Sequence, residues 1–393
     1  MKDIIIIANF NRLYSIDDYG RFTHLAFLLS KNNAVEIVTS SFDHIAKRKK
    51  SANQIIQDFK ITQLPEIGYR KNISIKRFRS HYLWGKEVRR YLQKREKPDI
   101  VYCAMPSLTA ARYAASFCRK NNVPFCIDVQ DLWPEAFQIA FNVPIVSNIV
   151  FYPFKLMADY AYKRADKIIA VSETYLKRAK QVNKNAPACV VYLGNRIEDF
   201  DRYANEYRVP KDENQFWIGY CGTLGSSYDI TVILEALCLL DDRRFVFHIM
   251  GDGPRLLEFK QKAEALHVNA IFHGRLEYPQ MCGFLSQCDV AVNPITHGAA
   301  QSIINKHSDY AAAGIPVINT QECREYIELV KQYRMGFNCK NGDPTDVSNR
   351  LRELFDNRQL CRQMGRNARR CAEEKFDRRR TYLCLSQMIQ GEQ

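Results

Sequence analysis

A serine, a lysine and an aspartate, Ser302, Lys306 and Asp309, carry the best-defined chemistry in this sequence. They sit in the run from Thr296 to Thr320, THGAAQSIINKHSDYAAAGIPVINT, which reads as a loop, a short helix and a buried strand. Ser302 is expected to cap the helix and Gly314 to end it, with Pro316 just before the apolar Val317-Ile318. A helix N-terminus presents unbonded backbone N–H groups and a positive dipole end, and both attract phosphate. Lys306 falls one turn from Ser302 on the same face. Asp309 falls two turns from it, roughly 10 Å along the axis at about 1.5 Å per residue. A diphosphate at the tip, an ammonium beside it and a carboxylate deeper in would suit a nucleotide diphosphate-sugar. The competing reading is a surface i, i+3 ion pair between Lys306 and Asp309, worth roughly 0.2–0.5 kcal/mol.

The elements that must position these residues follow an alternating pattern. Ile4–Ala8, Ala34–Thr39, Ile100–Cys103, Pro124–Asp128, Lys167–Val171 and Cys189–Tyr192 are predicted strands; Phe22–Ser30, Leu108–Lys120 and Val146–Arg164 are predicted helices between them. Polar residues 206–215, with Pro210, interrupt the pattern. It resumes with strands at Phe216–Cys221, Phe245–Met250, Ala270–His273, Val290–Pro294 and Pro316–Asn319. Strand–helix alternation implies parallel sheets covered on both faces. The predicted fold is therefore α/β with two Rossmann-like domains facing across a cleft: 1–205, 206–372, and a C-terminal helix at 373–393 returning to the first domain.

Composition bounds the rest. The 393 residues are 46% hydrophobic and 25% charged, as an ordinary globular chain requires. A net charge of +14 points to an acidic partner: phosphorylated substrate, anionic lipid or nucleic acid. Thirteen cysteines show no C-x-x-C pair and no zinc spacing, and Cys103, Cys126, Cys221 and Cys238 read as reduced core thiols of a cytoplasmic protein. Four isoleucines, Ile4 to Ile7, are too few for a signal segment, and no run of about 18 apolar residues is present.

Glycine turns close the second-domain strands: Tyr220-Cys221-Gly222-Thr223-Leu224-Gly225, Gly251-Asp252-Gly253-Pro254 and His273-Gly274-Arg275. One such turn is weak evidence, since any α/β protein needs them. Together with IMGDGPRLLEF, FHGRL, CDVAVNP and DYAAAGIPVI, the second half resembles the nucleotide-binding half of a GT-B glycosyltransferase of the retaining family 4. DLWPE at Asp131–Glu135 resembles a first-domain signal of bacterial surface-polysaccharide members, and YLGNRIEDF at Tyr192–Phe200 resembles the family's closing strand and loop before the linker.

The resemblance implies a donor site made of Gly222, Thr223, Gly225, Gly251, Arg275, Leu276, His297, Gln301, Ser302, Ile303, Lys306 and Asp309. Family members carry two glutamates eight positions apart here; this chain has Gln301 and Asp309, so Asp309 would hold the ribose and Gln301 a sugar hydroxyl. The family's loop cations are missing from Gly225-Ser226-Ser227-Tyr228, and Lys306 would replace part of that charge. Arg275, Leu276 and Glu277 would border the base. Glu325 reads as a solvated helical carboxylate in preference to a group approaching the cleft, and His297 as either a donor contact or an exposed loop histidine.

The first domain would receive the acceptor, with Gly20 and Arg21, next to Tyr19, close to the sugar. Asp128 or Asp131 would orient or deprotonate the acceptor hydroxyl; alternatively Asp131 caps a helix opening at Leu132-Trp133-Pro134. Between Arg70 and Lys97, eleven Lys/Arg stand against two Glu, interleaved with Tyr69, Phe78, Tyr82, Leu83, Trp84 and Tyr91. That suits an anionic membrane surface or a solvated basic helix, and nucleic acid less well. Phe151-Tyr152-Pro153-Phe154 offers a second apolar contact.

The expected function is retaining transfer of a sugar from a nucleotide diphosphate, UDP by preference, to a lipid-linked saccharide in bacterial surface-polysaccharide assembly. Lys306, Asp128 and Asp131 are the expected catalytic groups. No cofactor and no metal are expected, and the protein would be cytoplasmic and peripheral on the membrane. Two rivals share the architecture: a sugar-nucleotide 2-epimerase, and a non-catalytic relative that binds nucleotide or membrane. Gln301 and the missing loop cations favour the second.

Overall fold

Ile4 to Ile7 are at most 1% exposed, which only a strand covered on both faces achieves. In the computed structural model they form β1 (Asp3–Ile7), an interior strand of the first of two parallel sheets. The structure describes residues 1–11, 20–50, 58–71, 74–135, 144–299 and 302–391, the side chains of 144–148 excepted. Tyr19 and Gln301 lie outside the described residues.

The first sheet has the order β5-β2-β1-β6-β7-β8-β9, with β2 Ala34–Ser40, β5 Lys60–Leu64, β6 Ile100–Ala104, β7 Phe125–Val129, β8 Lys167–Ala170 and β9 Ala188–Val190. A two-stranded ribbon, β3 (Phe42–Asp43) with β4 (Arg48–Lys49), stands apart from it. The second sheet runs β12-β11-β10-β13-β14-β15, with β10 Phe216–Cys221, β11 Phe245–Met250, β12 Ala270–Gly274, β13 Val290–Asn293, β14 Val317–Asn319 and β15 Gly336–Asn338. The apolar runs thus became strands within a residue or two of expectation. Neither strand of the ribbon was expected, and two strands of the large sheets were missed. β5 buries Ile61 and Leu64 but leaves Lys60 exposed, and β15 is three half-buried residues long. Edge strands with so little apolar content give a weak periodic signal.

The chain divides into unit 1, Met1–Val191 with Tyr382–Gln393, and unit 2, Tyr192–Thr381. The expected boundary at 205/206 therefore moves. Ile197 and Phe200 of the helix Ile197–Glu206 are buried in the core of unit 2, so residues 206–215 are a loop within that unit. The return to unit 1 begins at Tyr382, not at 373, because Phe376 is still buried in the core of unit 2. Beyond it, Tyr382, Leu385 and Ile389 pack with Ile4, Ile6 and Ile37, each large side chain contributing roughly 1.5–3 kcal/mol. Lys2 and Lys167 donate to the carbonyls of Gln390 and Met388 at 2.7 and 2.6 Å, which satisfies the end of that helix.

One buried ion pair ties unit 1 together. Arg21 forks onto Asp128, with Nε 2.9 Å from Oδ2 and Nη2 3.1 Å from Oδ1, and its Nη1 donates to Val191 O and Tyr382 Oη. Both residues are at most 5% exposed. Cysteine burial follows expectation for Cys103, Cys126 and Cys221, whereas Cys238 is exposed. Replacing Arg21 with Met strands the Asp128 carboxylate and is expected to cost about 3–5 kcal/mol. The readout is a lower denaturant midpoint for the full chain; an unchanged midpoint would refute the role assigned to the pair.

Candidate functional site

Strand order reverses between β10 and β13, so the loops after these two strands open at a topological switch point, where α/β sheets bind ligands. The loops are stitched together: Thr296 N–H donates to Ser227 O at 3.1 Å and Asp229 N–H to Pro294 O at 3.0 Å. The helix Asn305–Ala312 follows, fixed to β10 by the Cys221 N–H donating to Tyr310 Oη at 3.2 Å. Ile304, not Ser302, occupies the cap position; its N–H is received by His307 Nδ1 at 3.3 Å. Ser302 does not take the capping role, and its buried Oγ has no hydrogen-bond partner among the described residues.

Lys306 is the second residue of this helix and only 7% exposed. Among the described residues its Nζ has no hydrogen-bond partner, and it lies 4.1 Å from the ring centroids of both Tyr220 and Tyr228. Two aromatic faces stabilise an ammonium but do not neutralise it. Burial accordingly pushes the Lys306 pKa down to about 7. The competing reading, an ion pair with Asp309, fails, since the two side chains reach different partners. Asp309 Oδ1 accepts from Tyr278 Oη at 2.9 Å and Asn195 Nδ2 at 3.1 Å, and burial raises its carboxyl pKa.

The glycine turns close over this cation. Gly222 adopts φ +141°, and a Cβ there would stand 2.9 Å from Lys306 Nζ. A Cβ on Gly251 would fall 1.9 Å from Gly222 O, so the first two turns meet backbone to backbone. Gly222 and Leu224 spend their N–H groups on Met250 O and Asp252 O. The N–H groups of Thr223 and Gly225 have no partner among the described residues, and Thr223 is exposed. An unneutralised ammonium, a buried hydroxyl and two unbonded N–H groups thus line one loop cluster, and the chemistry that satisfies all of them is an oxyanion.

The remaining expected donor residues scatter. Ile303 is buried in the core and Leu276 packs against it. Arg275 is exposed, and Glu277 caps the helix Tyr278–Leu285. His297 is 81% exposed at its side chain, with Nδ1 2.9 Å from Glu322 Oε1. Gly298 N–H donates to the same carboxylate, holding the Glu322 pKa down. Glu325 is not the solvated carboxylate expected, because it accepts from Tyr192 Oη at 2.9 Å.

In unit 1 a cavity of about 250 Å³ opens at the C-terminal ends of β1, β6 and β7. Asn9, Phe10, Phe22, His44, Arg77, Gln130 and Asp131 line it with Ala104–Pro106. Asp131 belongs to the cavity: its Oδ2 accepts from Trp133 Nε1 at 3.0 Å, and burial pushes its carboxyl pKa up. The helix-cap reading of Asp131 fails, since Leu132 to Pro134 are not helical. Asp128 is corrected from catalytic group to scaffold, because it is fully buried with both oxygens held by Arg21. Arg21 is withdrawn from the acceptor side for the same reason. Gly20 precedes the helix Arg21–Ser30, and among the described residues a Cβ there would meet only Asn11 Oδ1, at 4.0 Å.

Residues 22–198 match the family described as Glycosyltransferase Family 4, and residues 201–371 match Glycosyl transferases group 1. The chain belongs to the GT-B glycosyltransferases of family 4 type. It is 23% identical over 272 residues to "Probable glycosyltransferase WbjE" of Pseudomonas aeruginosa, a match covering 66% of this chain and 64% of that one. The chain thus spans just under two thirds of that relative's length. Among solved structures, HepE of Anabaena in complex with UDP superposes with a TM-score of 0.70 at 15% identity, covering 99% of this chain and 100% of that one. WaaG, described as a glycosyltransferase involved in lipopolysaccharide biosynthesis, gives 0.66 at 15% identity over 99% and 100%. At these identities the likeness to the solved structures is one of fold.

Sequence reasoning about this glycosyltransferase missed Tyr220 and Tyr228, which hold Lys306, and Asn195 and Tyr278, which hold Asp309. It also missed Asn9 and Arg77, which come from separate elements. Asn195, in the YLGNRIEDF run, and Tyr220 and Tyr228, at the ends of the first glycine turn, lay in segments already singled out, but nothing in the sequence paired them with Asp309 and Lys306.

The Lys306 pKa gives this candidate site a pH signature. Unliganded, the amine loses its proton as pH rises through about 7, and a bound anion raises that pKa again. UDP binding is therefore expected to take up a proton above pH 7, and affinity to fall by up to about tenfold per unit toward pH 9. Calorimetry in buffers of different ionisation enthalpy measures this. Lys306→Met removes the dependence; a pH-independent wild type would refute it.

Proposed function

We propose that this glycosyltransferase moves a hexosyl or N-acetylhexosaminyl group from a UDP-sugar to a lipid-linked saccharide, with retention of configuration, in surface-polysaccharide assembly. The observation that carries the reading is the buried, hydrogen-bond-free ammonium of Lys306 beneath the Gly222 turn. The UDP in the HepE complex and the lipopolysaccharide role given for WaaG support the choice of donor and setting.

As the bond between sugar and diphosphate lengthens, negative charge grows on the leaving phosphate. Lys306 and the Thr223 and Gly225 N–H groups are fixed before that charge appears, and preorganised donors of this kind are worth roughly 10²–10³ in rate each. Asp309 orients the nucleoside through its ribose hydroxyls. Asp131 orients the acceptor hydroxyl in the unit 1 cavity, and the departing phosphate takes that hydroxyl's proton on the same face of the sugar. Because Lys306 supplies the positive charge, turnover needs no metal.

The acceptor's lipid places the enzyme at a membrane. No helix of the described residues is long and apolar enough to cross one. The helix Ile75–Lys94 turns Trp84, Val88 and Leu92 inward, so most of its aromatic interleaving is core packing, with Tyr82 45% exposed. Its outer face shows Lys76, Arg79, Arg89, Arg90 and Lys94. Phe78 joins it to the helix Pro144–Arg164 through Phe154, at 5.2 Å between ring centroids. That second helix exposes Ile149, Val150, Tyr152 and Leu156. Basic residues beside apolar ones suit the cytoplasmic face of an anionic bilayer, at about 1 kcal/mol per engaged cation.

Incubation with radiolabelled UDP-sugars and a bacterial lipid extract is expected to label the lipid fraction, unaffected by EDTA and reduced at least 100-fold by Lys306→Ala. A changed sugar without acceptor would identify an epimerase, and tight UDP binding without any transfer a non-catalytic relative. In a separate flotation assay, the protein is expected to bind phosphatidylglycerol-containing vesicles, reversibly with salt, and a V150D/L156D variant to bind them at least tenfold more weakly. Equal binding to phosphatidylcholine vesicles would contradict the membrane assignment.

A further inference from the structure

Three asparagines end three neighbouring strands of unit 2. Asn293, Asn319 and Asn338 close β13, β14 and β15 in register, Asn293 beside Asn319 and Asn319 beside Asn338. Asn293 Nδ2 has two hydrogens to give, and it spends them on Asn319 Oδ1 at 2.8 Å and Gln321 Oε1 at 3.1 Å. Asn319 Oδ1 also accepts the Gln321 N–H at 3.1 Å, and its Nδ2 donates to Gln321 O at 3.2 Å and Asn338 Oδ1 at 2.8 Å. Gln321 is buried, and the asparagines hold it by backbone and side chain alike.

What Gln321 holds in turn is the entrance to the helix Asn305–Ala312. Its Nε2 donates to Ser302 O at 3.1 Å, two residues ahead of the Ile304 cap, and its side chain hydrogen-bonds the His307 imidazole. His307 is 1% exposed, and its Nδ1 accepts the Ile304 N–H at 3.3 Å, so the neutral ring carries its proton on Nε2. Asn293 Nδ2 lies 3.1 Å from that nitrogen but has no hydrogen left for it, which makes Gln321 Oε1 the acceptor of the Nε2–H. A closed relay results: Ile304 N–H to His307 Nδ1, His307 Nε2–H to Gln321 Oε1, and Gln321 Nε2–H to Ser302 O. The Tyr326 ring lies flat on the imidazole, 3.5 Å between centroids and 4° between planes, and fixes its tilt. A second proton would face both the Ile304 N–H and the Lys306 ammonium; burial and that ammonium hold the His307 pKa well below its usual value.

The relay spans Ser302 to His307, the segment that carries the hydroxyl and the cation of the phosphate seat. Asp309 is held from outside it, by Asn195 and Tyr278. We propose that His307, as its Nε2–H tautomer, is the positioning residue of the phosphate seat: it keeps Ser302 and Lys306 aligned with the Gly222 turn, and so governs binding of the diphosphate and not of the nucleoside. The proposal rests on the donor reading put forward above.

The test compares UDP with uridine, which share the nucleoside and differ in the diphosphate, by calorimetry of the full chain. His307→Leu is expected to cut the ratio of UDP to uridine affinity roughly tenfold while uridine binding stays within about twofold of wild type. His307→Gln, whose side-chain carbonyl accepts the Ile304 N–H as in a capping box, is expected to recover most of the ratio. Uridine binding reports that each variant is folded. Without any variant, a long-range proton–nitrogen correlation spectrum of the wild type near neutral pH should show His307 protonated at Nε2 alone. An unchanged ratio in His307→Leu, an equal loss of both ligands, no recovery in His307→Gln, or a proton on Nδ1 in the wild type would each overturn the proposal. A wild type that binds uridine as tightly as UDP would instead remove the donor reading.

Discussion

A lysine ammonium buried without a hydrogen-bond acceptor is the constraint around which unit 2 is arranged. Leaving a charged group in that state is costly, and ordinary folding would remove it by exposing the side chain or pairing it. Here the Tyr220 and Tyr228 rings cover it, the Gly222 turn closes on it, and the helix Asn305–Ala312 fixes its root. The requirement for glycine at 222 and 251 follows directly, because any Cβ would strike the ammonium or the facing backbone. An anion arriving at this cluster completes an arrangement that is otherwise unsatisfied.

Unit 1 shows the opposite solution to the same problem. Arg21 is as buried as Lys306, but it is fully paired with Asp128 and bonded to Val191 and Tyr382. One buried cation is therefore paired within the fold and the other is left for the proposed ligand, and hydrogen-bond accounting distinguishes them where residue type does not. The same accounting separates Asp128, whose oxygens are both occupied, from Asp131, which faces the cavity.

Much of the fold was legible because buried parallel strands are short apolar runs, and Phe216–Cys221 and Phe245–Met250 were read to the residue. The edge strand Lys60–Leu64 was not, because three of its five side chains are polar. In the site, Lys306 and Asp309 were legible through helical spacing, and the glycine turns through their place after strands. The groups that hold them were not. Tyr220 and Tyr228 flank a turn and read as core residues, and Tyr278 meets Asp309 from another helix. The unit boundary was misplaced because polarity at 206–215 marks a surface loop as readily as a linker. Ser302 was assigned a capping role that Ile304 took, since a helix start shifts easily by a residue or two.

The most direct measurement is a crystal structure of the chain with UDP bound. The account requires a diphosphate oxygen within hydrogen-bonding distance of Lys306 Nζ and of the Thr223 or Gly225 N–H, with the ribose at Asp309. A nucleotide bound elsewhere, or Lys306 still without an oxygen partner over the two tyrosine rings, would contradict it.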